Sequence, residues 1–163
     1  MKKVIILSLF FLVSLNGYNQ VEQIKALMVY RIANHIEFKG TKSNGDFIIG
    51  VKDNTKVLAI LSALAKEKKV GKRPMIVKSI SDPSDAKECN IVYLPSIDVS
   101  DFERACKKGK TLLFSEEKGT CNNGAGISLY ISDGKPNFEI SESNLNSFGI
   151  TPSSELLQMG KKN

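Results

Sequence analysis

The sequence holds no tryptophan, one histidine (His35) and three cysteines (Cys89, Cys106 and Cys121) among 163 residues. A lone histidine leaves little material for a histidine-rich metal site or a Ser/His/Asp triad. Three dispersed cysteines are too few for a disulfide scaffold and wrongly spaced for a zinc ribbon. The longest apolar run falls short of the roughly 20 residues that cross a bilayer. There is no internal repeat, no low-complexity tract and no linker. What is present is a 42% hydrophobic, 25% charged chain with 23 basic and 17 acidic residues. Those values belong to one globular domain with a positive balance.

Met1-Lys2-Lys3 precedes an apolar run from Val4 to Leu15, and Asn16 to Asn19 form a polar exit. A charged n-region, a short h-region and a polar exit make a secretory signal peptide over residues 1–19. Cleavage is expected near Gly17 to Asn19, leaving an exported chain with no stable membrane insertion. No cysteine follows the h-region to carry a lipid. Removal of Lys2 and Lys3 lowers the positive charge, and all three cysteines enter an oxidising compartment.

The rest reads as one domain, residues 20–160, with a frayed tail at 161–163. Hydrophobic spacing predicts a helix over Val21 to Phe38, apolar nearly all round, and a strand over Asp46 to Lys52. Asn54 is placed to cap a helix running to Lys69. A strand around Met75 to Val77 follows, then a loop or single turn over Ser81 to Glu88 and a strand over Asn90 to Leu94. A helix over Ser100 to Lys108, a strand over Thr111 to Ser115 and a polar loop from Glu116 to Gly124 come next. Gly126 to Ser132 and Lys135 to Ile140 flank Asp133-Gly134, the dipeptide of a type I′ hairpin turn. Two short helices near Ser143 to Phe148 and Ser153 to Met159 close the chain. Alternating strands and helices imply an α/β fold: a mostly parallel sheet flanked by helices, Rossmann-like, with a C-terminal antiparallel hairpin.

Motifs that would carry chemistry fail on context. Gly109-Lys110-Thr111 looks like the end of a P-loop, but Arg104 stands where its first glycine is needed and a strand follows. Gly124-Ala125-Gly126 also leads into a strand, which removes the dinucleotide-binding reading. Ser115 and Lys118 have Ser-x-x-Lys spacing but leave a strand for a loop, without the companion motifs. His35 is read as a packed structural residue, and Asp82/Asp85 and Glu116/Glu117 as turn carboxylates. The lysines after the second and third helices, with Arg73, complement helix C-termini and gather at the pole where the parallel strands begin. No aromatics interleave them, so no nucleic acid is expected.

Several segments together resemble the YfiR-like periplasmic proteins. Ile24 to Phe38 (IKALMVYRIANHIEF) resembles the opening helix of that family, and Phe47 to Val51 and Cys89 to Leu94 resemble two of its strands. The most specific stretch is Gly126-Ile127, Gly134, Phe138-Glu139-Ile140, Gly149-Ile150, Ser153-Ser154 and Leu156-Leu157. Phe38-Lys39 replaces a favoured Trp-Pro, Asn90 a common His, and His35 a usual aromatic. The resemblance implies a regulator and no enzyme: the best-known member represses a membrane diguanylate cyclase, under redox control and control by an outer-membrane partner. The expected partner is therefore a membrane-anchored signalling protein, a cyclase or a sensor kinase; a homodimer stays open. The rival expectation is a periplasmic small-ligand module using the carboxyl ends of the strands, at Asp53, Asn54, Ser96, Asp98, Ser115 and Glu116. No cofactor, metal or catalytic residue is expected.

Cys89 begins the third strand, and Cys106 ends the helix that runs back along it. Both should therefore reach one pole, within the roughly 5.5–6 Å Cα separation of a disulfide. Cys121 is placed at the other pole as the odd thiol. Three unpaired cysteines, or a Cys89–Cys121 pair, are the competing readings.

Overall fold

The computed structural model describes residues 17–95 and 98–162. Most of the expected signal peptide lies outside them. Helix α1 (Gly17–Ala33) is followed by β1 (Ile36–Phe38), a short 3-10 helix at Gly40–Ser43 and β2 (Phe47–Val51). Then come α2 (Thr55–Ala65), β3 (Lys69–Val70), β4 (Arg73–Ser79), a 3-10 helix at Pro83–Glu88, β5 (Ile91–Leu94), α3 (Val99–Gly109) and β6 (Leu112–Ser115). The chain closes with a 3-10 helix at Thr120–Asn123, β7 (Ile127–Ser132), β8 (Lys135–Ile140), α4 (Glu142–Ser147), β9 (Ile150–Pro152), α5 (Ser154–Met159) and β10 (Lys161–Lys162).

Eight strands form the main sheet in the order β10-β8-β7-β6-β5-β2-β4-β3. The ladders β4/β2, β2/β5, β5/β6 and β6/β7 are parallel, and β7/β8 and β3/β4 are antiparallel. The chain winds outward from β2 to β4, then reverses to lay down β5, β6 and β7. With right-handed crossovers, that reversal puts α2 and α3 on opposite faces. The α/β class expected from the alternation of elements is the class observed. Central strands β5 and β6 are buried at every residue, the mark of a sheet covered on both faces.

Local chemistry explains most boundaries. Asn54 accepts from the Val57 N–H and caps α2. Ser141 and Ser153 do the same for α4 and α5. Asp133 and Gly134 take positive φ values of 52° and 70°, as a type I′ turn requires. Asp82 and Asp85 form a capping box at the Pro83–Glu88 turn, so this carboxylate pair is turn chemistry.

Three expectations need correction. The first helix stops at Ala33, and Ile36–Phe38 instead pairs antiparallel with Ile150–Pro152 in a separate two-stranded sheet. The alternation buried Ile36, exposed Glu37, buried Phe38 suits a strand, and Phe38 packs edge-on against Phe47 at 5.7 Å. The segment after α2 is a tight hairpin, β3–β4, turning at Gly71. The tail is no free end, because Lys161 and Lys162 pair parallel with Glu139 and Ile140.

Candidate functional site

The amino pole of the sheet holds Cys89, Cys106 and a web of cations on backbone carbonyls. Arg73, at the start of β4, donates to the carbonyls of Gly45 (2.8 Å), Lys42 (2.8 Å), Asn44 (3.1 Å) and Asp46 (2.7 Å). Its guanidinium also lies 5.1 Å over the Phe47 ring. Lys42 Nζ donates to the carbonyls of Lys87 (2.6 Å) and Cys89 (2.5 Å), and burial lowers the pKa of this amine. The residue Arg73, read from sequence as part of an exposed basic pole, is thus committed to holding the loop before β2.

All three cysteines are free thiols, and all are buried. Cys89 and Cys106 converge on Thr111. The Thr111 N–H donates to the Cys106 carbonyl (2.9 Å), and its hydroxyl is shared between the carbonyls of Ala86 (2.7 Å) and Cys89 (2.9 Å). Burial pushes the Cys106 thiol up to about 12, with Cys89 adding to the effect. The same cause raises Cys89. A Cβ added at Gly50 would stand 2.9 Å from Cys89 Sγ and 3.0 Å from Ile80, so β2 needs glycine where it passes the thiol. Cys121 lies apart from that pair, on Ser128, which stands opposite Ser115 at the carboxyl end of β6. The loop after β6 folds back to the start of β7, where the Ser128 hydroxyl is 3.2 Å from Cys121 Sγ and accepts from its N–H at 2.9 Å.

At the carboxyl pole, winding reverses between β2 and β5, the place where open α/β sheets bind ligands. Here the crevice is filled by the chain's own side chains. Lys52 pairs with Asp98 (3.0 Å) and with Asp53. Beside them is a closed ring. Lys25 donates to Glu22 (3.0 Å) and Glu116 (2.9 Å), and Asn54 Nδ2 donates to the same two carboxylates at 3.0 Å and 2.6 Å. Burial opposes the Lys25 charge, but the two carboxylates outweigh it and its pKa rises. The Tyr93 hydroxyl is buried beside Glu116, and burial, with that negative charge, raises its pKa.

The structure thus gathers Asp53, Asn54, Asp98 and Glu116 of the expected carboxyl-end set; Ser96 lies outside the described residues. Ser115 is fully buried, with no hydrogen-bond partner for its hydroxyl among the described residues. The Lys118 ammonium sits 5.8 Å over the Tyr130 ring, so the Ser-x-x-Lys spacing assembles no pair. His35 Nδ1 faces Ser153 Oγ (3.4 Å) and Glu155 (3.5 Å), tying β1 to the start of α5. Among the described residues no cluster of three or more His, Cys, Asp or Glu is placed to hold a metal.

Sequence reading missed Glu22, Lys25 and Tyr130. Glu22 and Lys25 stand one turn apart on α1, which was a visible signal, but their partners are distant in sequence. Tyr130 lines a groove of about 530 Å³ between the start of α1 and the carboxyl end of β7. Its hydroxyl is buried without a partner among the described residues.

No curated protein sequence matches the chain. A crystal structure of a conserved domain protein from Vibrio cholerae shares the fold, with a TM-score of 0.59 at 13% identity. The alignment covers 86% of this chain and 59% of that one, so this chain spans under two thirds of its neighbour. No helix among the described residues is long and apolar enough to cross a membrane. Residues 22–161, from the ring on α1 to the last strand, match the YfiR/HmsC-like family, and the chain belongs to that family.

Proposed function

We propose that this protein is a periplasmic regulator that binds the periplasmic part of a membrane-anchored signalling protein, a diguanylate cyclase or a sensor kinase, and holds it in one activity state. It does so through unequal affinity for the two states of that partner. Family membership carries the reading: the YfiR/HmsC-like family is one of regulators. The filled crevice supports it, because Lys52–Asp98 and the Glu22–Lys25–Glu116–Asn54 ring occupy the position a small ligand would take. Ser115 without a partner and His35 engaged by Ser153 and Glu155 supply no nucleophile and base. Export through the leader at residues 1–19 belongs to the same proposal.

Redox control belongs to it as well. Cys89 and Cys106, whose backbone carbonyls both bond Thr111, give up two protons and two electrons to a thiol-oxidising partner and form a disulfide. Non-reducing peptide mapping of the exported protein is expected to recover a Cys89–Cys106 peptide with Cys121 free. Three free thiols, or Cys121 in a bridge, would overturn that part.

The function is tested by capturing membrane proteins on the exported chain and measuring cyclic di-GMP and kinase output in a deletion strain. A captured cyclase or kinase whose output changes on deletion supports the proposal. No signalling protein captured and no change in output defeats it.

A further inference from the structure

Strand β6 ends at Ser115, opposite Ser128, whereas its neighbour β7 continues to Ser132. Among the described residues, the side of β7 that faced β6 has no partner strand from Leu129 onward. The hairpin fixes which backbone groups point there. Ser132 and Lys135 flank a two-residue turn and so form a hydrogen-bonded pair. Pairs alternate along an antiparallel ladder, which makes Ile131↔Pro136 a non-bonded pair. Two observations agree with this phase. Proline, which has no N–H to give, occupies position 136, and the Ser141 N–H bonds the Gly126 carbonyl at 3.0 Å, as the alternation requires. The N–H and C=O of Ile131 therefore turn away from β8, toward the space that a longer β6 would fill.

That space is the groove described above. Val21 and Lys25 of α1 form one wall, residues 116–118 another, and residues 130–132 the edge itself, with Lys161 at the rim. The Tyr130 hydroxyl is an unpartnered donor in a residue only 8% exposed. Lys118 and Lys161 are exposed, whereas the carboxylate of Glu116 is already held by Lys25 and Asn54. Glu117 is the other acidic group on the groove.

We infer that this groove receives an extended, acidic segment of a partner protein, which adds to the free edge of β7 as a strand in line with β6. Main-chain hydrogen bonds to Ile131 supply the affinity, and Lys118 and Lys161 select negative side chains. The stretch of edge from Leu129 to Ser132 accommodates about 13 Å of strand. A second copy of this chain is disfavoured as occupant, because the same lysines, Lys118 and Lys161, would face each other. The inference rests on the proposed role as a binder of a signalling partner and names the surface used.

The test is a titration of the isotope-labelled exported chain with a blocked peptide Glu-Val-Thr-Val-Glu, followed by amide shifts. Two control peptides accompany it: one with N-methylated backbone and one with lysine in place of glutamate. The expected result is saturable shifts centred on residues 116–118 and 129–132, weakened about tenfold or more by N-methylation, by the lysine peptide, and by Ile131→Pro. Ile131→Pro removes the outward N–H without removing a hydrogen bond of the β8 ladder; Lys118→Glu with Lys161→Glu is the second variant, expected to reverse the charge preference. No saturable shift in these segments, equal binding of the N-methylated peptide, or concentration-dependent dimerisation through this edge would each overturn the inference. Capture from membranes separates it from the broader reading. If Ile131→Pro still captures the signalling partner, the edge is wrong and the function stands. If the unaltered chain captures none, the function fails while the titration still decides the edge.

Discussion

The two poles of the sheet spend their polar groups differently. At the amino pole, Arg73, Lys42 and Thr111 each bond two or more backbone carbonyls, which tie together loops distant in sequence. Such bonds define shape and leave little to offer a visitor. At the carboxyl pole the partners are side chains, carboxylates and amines in a half-buried ring, and beside the ring lie an unpaired strand edge and an unpartnered tyrosine hydroxyl. Side-chain pairs can be exchanged for another protein's groups without unfolding a loop. The amino pole therefore reads as scaffold and the carboxyl pole as working surface.

The contrast is broken most severely at Arg73. Arg73→Ala takes a donor from four carbonyls, of which, among the described residues, only that of Lys42 keeps a side-chain donor, Asn90 Nδ2, and is expected to cost about 3 kcal/mol of stability, read by urea denaturation. A loss below about 1 kcal/mol would mean that the loop before β2 is held by something else. Alkaline titration probes the same pole. In the reduced chain, Cys106 and Cys89 stay protonated in the folded state above their usual range, while the unfolded state ionises them near the ordinary thiol value of 9.0. The unfolded state then binds fewer protons, so stability falls as pH rises from about 9 to about 12. Cys106→Ala should flatten that fall in a series of thermal melts, and an unchanged slope would count against the assignment. Gly50→Ala forces a methyl group onto Cys89 and Ile80 and should cost about 2 kcal/mol. Part of that cost should return in a Cys89→Ala background.

The carboxyl pole should yield smaller numbers. Asn54→Ala loses a helix cap and one corner of the ring, for about 1.5 kcal/mol. Ser153→Ala, an isolated cap, should cost about 1 kcal/mol or less in the same denaturation assay. Equal costs would show that the ring adds nothing to the cap. Smallest of all, Lys118→Glu on the groove should change stability by less than about 0.5 kcal/mol. A large loss there would make the groove part of the scaffold and erase the distinction between the poles.

What could be read in the sequence follows the range of the interactions. Asn54, Ser153 and Asp133-Gly134 act on residues within one turn of themselves, so their roles were legible. The central strands were legible because full burial leaves an uninterrupted apolar run, as in Ile91–Leu94. Ile36–Phe38 was misread as helix because its strand partner lies at Ile150–Pro152, and the helical apolar pattern continues through it. The ring was invisible for the same reason, since Glu22, Asn54 and Glu116 meet only after the sheet has formed. Arg73 looked like one more surface cation because carbonyl acceptors leave no signature in side-chain spacing.

Val21 and Lys161 line the same groove. The chain thus enters and leaves the domain through one opening, as a plug carries both its wires on one side. A domain wired in this way can be spliced into a longer polypeptide without spreading the host segments apart. A short bridge from residue 162 back to residue 20, with new ends cut at the Gly71 turn, should yield a circular permutant of unchanged sheet order. Whatever occupies the groove would then sit between the two host segments, and its arrival would be felt by both at once.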